Sequence, residues 1–236
     1  IMPTQCFTPW KIPIIRITNL DSCGVPQTGC TVVATDTIIS VEMEPEYEER
    51  QDFFKKNGDG TFCVQVTNPP IFKWYNVTIT ICNVDPDLIA LTTGEERVYD
   101  DAASPNAHGW STDVGAAANS NFALEGWTRL ANTSVPCTGG VEFGYGILPW
   151  VTQATIQAMT LQNDTTDLVI AGRTQVGSPW GTGPYFVDYS DNPAGSTTPV
   201  ALLLPIRSTE HRRFFTTRLA PPTAACGCTT LSDLTP

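Results

Sequence analysis

Side chains able to do acid–base or nucleophilic chemistry near neutral pH are scarce in this chain. It has two histidines, His108 and His211. A serine hydrolase needs a Ser–His–acid set, and no GxSxG elbow is present. His108 lies in the small-residue stretch AASPNAHGWSTDV. His211 stands in TEHRRF, where Arg212 and Arg213 disfavour its protonation, so it reads as an ordinary surface residue. Glu42, Glu44, Glu46, Glu48, Glu49 and Asp52 form an acidic run. Calcium loops need closely alternating oxygen ligands around a central Gly, and NGDG at 57–60 offers too few, so it reads as a hairpin turn. As a carboxylate pair for glycoside hydrolysis the run is equally unspecific. It reads as a solvated, strongly negative surface. The sequons at Asn76, Asn132 and Asn163 read as chance matches, with Asn76 inside a predicted strand. No metal, cofactor or catalytic residue is assigned, and the chain is expected not to be an enzyme.

Two features carry more than one reading. The loop GSPWGTGP (177–184) could offer Trp180 as a sugar-stacking platform, but without polar ligands around it, it reads as a packed loop whose Gly and Pro fix its dihedrals while Trp180 anchors it to a neighbouring surface. Eight cysteines invite a disulfide reading, yet buried thiols are the plain alternative. Thiols at synthesis are expected. Cys23 and Cys30, on either side of GVPQTG, are the pair most prone to oxidise later, and Cys226 and Cys228 are too close to bridge each other.

The elements that would position these residues are mostly strands. Segments 12–19, 61–67, 75–82, 122–130, 141–150, 154–161, 167–173, 200–206 and 213–219 alternate or are β-branched. In DTIISVEME (36–44), Ile38, Ser40, Glu42 and Glu44 are expected on one side, and Thr37, Ile39, Val41 and Met43 on the other. DPDLIALT (85–92) carries helix signals at both ends: Asp85 as N-cap, Pro86 in the first turn and Gly94 closing. Residues 99–121 lack any period and read as a long loop.

Composition agrees. Charged residues are only 16%, against 18 Gly and 19 Pro, which suits short strands joined by turns. The net charge of −11 disfavours sequence-specific DNA binding, which relies on Lys and Arg to displace phosphate counterions. No basic leader with an apolar core opens the chain, and Ile1 ahead of Met2 suggests a missing first residue. No apolar run is long enough for a membrane span, and no membrane insertion is expected.

Five segments in order carry a family likeness: EMEPEYEERQDFFKKNGDGTFCV (42–64), VTITICNVDPDLIALTTG (77–94), NFALEGWT (121–128) with YGILPWV (145–151), AGRTQVGSPWGTGPYFV (171–187) and TRLAPPTAACGC (217–228). Together they resemble the major tail tube proteins of long, flexible-tailed bacteriophages infecting actinobacteria. The resemblance implies a β-sandwich with a small flanking helix. Subunits would join by sheet edges into a ring, usually a hexamer, with an inner β-barrel. Rings would stack around a tape-measure protein, between tail terminator and distal tail proteins. DNA would pass down the lumen without being bound. The expected location is the virion tail, assembled in the host cytoplasm.

On this reading residues 1–11 form an N-terminal arm, 12–219 the sandwich with its loop at 99–121, and 220–236 a C-terminal arm. Glu42 and Glu44 are expected to face the lumen, and Trp180, Pro179 and Pro184 a contact between subunits. The alternatives are a monomeric carbohydrate-binding sandwich using Trp110 and Trp180, and a hydrolase with an unrecognised carboxylate pair.

Overall fold

The computed structural model describes residues 9–102, 105–116, 120–130, 143–159, 167–181, 183, 201–202 and 204–231. The described residues begin with β1 (Pro9–Asn19) and, after a turn, β2 (Cys30–Thr35). Strands β3 (Ile38–Glu48) and β6 (Ile71–Ile81) bracket a hairpin of β4 (Phe53–Lys56) and β5 (Phe62–Val66). Helix α1 (Pro86–Thr93) leads into a second hairpin, β7 (Glu96–Tyr99) and β8 (Ala107–Ser111). Then come β9 (Asn121–Leu130), β10 (Phe143–Ile156), β11 (Leu168–Thr174), β12 (Arg213–Thr217) and β13 (Thr229–Thr230).

The fold is mostly β with one short helix among the described residues. Nine strands join into one sheet in the order β13-β2-β1-β9-β10-β11-β6-β3, with β12 beside the first half of β10. The sheet is not closed into a barrel, because β3 and β13 end the path unpaired to each other. It does curl. Ile15 and Ile17 of β1 share one core cluster with Val77 and Ile79 of β6, and Val41 and Met43 of β3 pack against it. Helix α1 contributes Leu88, Ile89 and Leu91 to the same cluster. A second cluster on the opposite face joins Ala123, Trp127, Tyr145, Ile147 and Trp150 to Trp180, Leu202 and Ile206. The central strands are therefore buried on both faces, which is why Phe122, Ala123 and Leu124 run apolar without alternation.

The helix forms where its caps lie. The Asp85 carboxylate accepts from the Asp87 N–H at 2.9 Å, Pro86 occupies the first turn, and Gly94 closes in the left-handed region at φ 74°. Elsewhere the strand pattern differs from expectation. Residues 141–150 and 154–161 were expected as two strands, but β10 runs through to Ile156, taking a bulge in which Gln153 adopts φ 54°. The expected loop at 99–121 contains β8, paired with β7. The expected strand at 200–206 is irregular where described and makes a single bridge, Ile206 to Gly181.

Candidate assembly surface

Strand β3 forms one rim of the sheet, and no described strand pairs with its outer edge. A register shift between Ile38 and Ser40 moves Ile38 to the core side with Val41 and Met43 and leaves Ile39 exposed. This corrects the strict alternation expected for 36–44. Glu42 and Glu44 are exposed on the outward side, opposite Thr78 and Asn76 of β6. Pro45 fits here because an edge strand has no outer ladder to break. The acidic strip has a basic border. Lys73 Nζ lies 4.5 Å and the Arg173 guanidinium 4.7 Å from the Trp74 ring, whose indole N–H donates to Asn76 Oδ1 at 3.1 Å.

Beyond Glu46, strands β3 and β6 leave the body and continue into the β4–β5 hairpin. Every residue from Tyr47 to Thr67 is exposed. The turn at its tip is well made: the Asn57 N–H donates to Thr61 O at 2.7 Å, and the Asp59 carboxylate accepts from the Thr61 N–H and hydroxyl. Phe53, Phe54 and Phe62 are each more than half exposed, at 58%, 53% and 53%. Phe53 pairs with Val66, and Lys55 with Val64, so one face presents Phe53, Val64 and Val66 together. No described layer covers them.

The base of this arm is clamped. Phe72 packs edge-on against Tyr47 at 5.8 Å and His211 at 5.0 Å, and tilted against Tyr75 at 4.8 Å. The Arg212 guanidinium sits 4.2 Å from the Tyr75 ring centre. Thr174 Oγ1 accepts from the Tyr75 N–H at 2.9 Å and lies 2.7 Å from His211 Nδ1. Burial lowers the His211 pKa below its ordinary value. His211 is thus a half-buried clamp residue, and burial rather than its arginine neighbours disfavours its charge. His108 is exposed on β8.

The structure places Trp180 and corrects the expected cysteine pairing. Trp180 is 4% exposed and packs into the second core cluster of its own chain, anchoring its loop there. Pro179 is exposed beside it, and Pro184 lies outside the described residues. Trp110 is half-buried against the main cluster. Cys30 is bonded not to Cys23 but to Cys228, with Cα atoms 5.1 Å apart, and Cys23 is an exposed thiol. The physical reason is pairing between strands: β13 lies along β2 and brings the CGC segment to the start of β2.

Sequence reasoning missed the buried ion pair. Arg16 on β1 and Glu125 on β9 face each other in register and bond through both nitrogens, at 2.6 and 2.7 Å. The Tyr145 hydroxyl donates to the same carboxylate at 2.5 Å. Burial first, and the Glu125 charge second, push the Tyr145 pKa well above its ordinary value. Arg16 also lies 5.4 Å from the Trp127 ring centre. The only advance signal was a charge within each apolar strand, and the partners are 109 residues apart.

Among the described residues no three His, Cys, Asp or Glu side chains are grouped to hold a metal ion, and no helix is long and apolar enough to cross a membrane. No protein-family model matches the chain, and no curated protein matches it.

Proposed function

We propose that this chain is a structural subunit that assembles with copies of itself, joining by sheet edges into rings that stack into a tube. The observation that carries this reading is the β4–β5 arm, which holds three phenylalanines in water on a two-stranded hairpin. Such hairpins are marginal alone, and clustered exposed apolar side chains mark interaction sites. The open β3 edge supports it too, since an unpaired edge invites a strand from another chain. A contact between unlike surfaces closes into a ring when its rotation allows, and repetition along the axis gives a filament.

In its specific form the proposal is the tail tube of a long, flexible-tailed phage. Partners would be further copies, a tape-measure protein in the lumen, and terminator and distal proteins at the ends. DNA would be in transit only. The sugar-binding alternative drew on Trp110 and Trp180, of which Trp180 is buried in the second core cluster and Trp110 is half-buried against the first.

The test is negative-stain microscopy with sedimentation velocity over a rising concentration series. Rings or tubes, with loss of the monomer boundary, are expected. A single monomeric species at every concentration would sink the proposal.

A further inference from the structure

The C-terminal segment 220–231 lies across the end of the sheet opposite β3. None of its side chains is buried; each is exposed or half-exposed. Cys228 and Leu231 pack partly against the two core clusters, and polar contacts supply the rest of its hold. The Ala225 N–H donates to Ala34 O, the Gly227 N–H to Asp85 Oδ2 at 2.7 Å, and the Cys228 N–H to Asp87 Oδ2 at 3.1 Å. Thr229 and Thr230 then pair with Val32 and Cys30, covering the outer edge of β2. One covalent bond fastens the whole strap, Cys30 to Cys228, across 198 residues of sequence. Cys30 stands exposed at the start of β2, within reach of a soluble thiol.

We propose that the Cys30–Cys228 disulfide is a redox latch on the β2 edge. Oxidised, it keeps the strap down, and β13 caps β2. Reduced, the strap lifts, and β2 is free to pair with an edge strand of a second copy. The open β3 edge at the other end of the same sheet is the complementary strand. This inference rests on the self-assembly reading and adds its control.

The chemistry is thiol–disulfide exchange with a small thiol or dithiol as reductant. Its thiolate attacks Cys30 Sγ, the S–S bond breaks, and Cys228 leaves as thiolate and takes up a proton. A second reductant thiolate then attacks the mixed disulfide and releases Cys30. In sum Cys30 and Cys228 gain two electrons and two protons, and the reductant becomes its own disulfide. Without the cross-link the strap keeps a few part-buried hydrogen bonds and the partial packing of Cys228 and Leu231, and segments with so few buried contacts open more readily than the core strands.

The experiment compares the full chain oxidised, the same chain reduced with dithiothreitol, and the variants Cys30→Ser and Cys228→Ser. Amide hydrogen exchange at 30–34 reports the β2 edge, and sedimentation velocity reports association. Reduction, and either variant, is expected to speed exchange at 30–34 by about tenfold or more while the β9 and β10 amides stay protected. The concentration needed for association is expected to fall by a similar factor. Unchanged β2 protection after mass spectrometry confirms reduction overturns the latch, whatever the association state. A freed β2 edge with association at the same concentration as the oxidised chain overturns the control of assembly. A freed edge with no association at any concentration overturns the self-assembly reading, and this inference with it. Because the reduced wild-type chain is measured after folding, a serine variant that fails to fold leaves the test intact.

Discussion

At the residue scale the least expected feature is a charged pair where the sequence promises only hydrocarbon. Arg16 and Glu125 are buried, at 5% and 0% exposure. Each carboxylate oxygen accepts from the guanidinium, and Tyr145 adds a third donor. A buried pair gives little net stability against an apolar replacement, but removing one partner strands the other charge in low dielectric. Arg16→Met alone, which leaves the Glu125 carboxylate buried without its cation, is therefore expected to cost about 3–5 kcal/mol in urea unfolding, and Arg16→Met with Glu125→Leu together to recover most of it. If the double variant is as unstable as the single one, packing and not charge is what matters there. Nothing local in IPIIRITN announces this pair, because its register is set by β1–β9 pairing. His211 gives a second residue-scale prediction. Its pKa is lowered in the folded chain, so below about 6.5 the unfolded chain binds more protons and stability falls as pH falls toward the folded value. His211→Gln should flatten the unfolding midpoint between pH 7.5 and pH 5. An equally steep slope in the variant would place the dependence elsewhere.

At the element scale, legibility follows whether the signal is local. The helix was readable to within a residue, because Asp85, Pro86 and Gly94 act through their own backbone neighbours. β2 was missed because CTVVAT directly follows a turn cluster and is too short to show a period. β10 was split in two because its bulge breaks the alternation at Gln153 while the strand continues. β4 was hidden in a charged segment, where Phe53 and Phe54 looked like part of an acidic loop. That hidden strand makes the arm, and the arm gives a prediction of its own kind. Phe53 and Phe62 touch no described core, so Phe53→Ser with Phe62→Ser should change monomer stability by no more than about 0.5 kcal/mol per site. Association should nevertheless be lost or weakened by about tenfold or more, since aromatic anchors dominate interfaces. Sedimentation velocity and urea unfolding of the same sample separate the two effects. A variant that associates like the parent removes the arm from the interface.

At the scale of the whole molecule, the all-β class follows from composition, but the way the sheet ends does not. A period of two gives a strand its faces, and only the assembled order shows that β3 is a rim and that β2 is capped by the chain's own tail. What lies beyond β3 sets the meaning of its acidic strip. In a ring whose lumen carries Glu42 and Glu44 from every copy, a DNA phosphate reaching the strip meets like charge, felt over about 8 Å at physiological salt, with Lys73 and Arg173 held at the border against Trp74. Reversing both charges turns the same wall into a trap. Tubes of Glu42→Lys with Glu44→Lys should hold double-stranded DNA at about 50 mM salt, release it steeply toward about 200 mM, and shield it from nuclease. Parent tubes should hold none at either salt. DNA held by the variant but digested at once would put the strip on the outer wall. The edge pairing would then stand while the lumen assignment of Glu42 and Glu44 fell, because edge pairing depends on the backbone of β3 and the lumen on which way its side chains point.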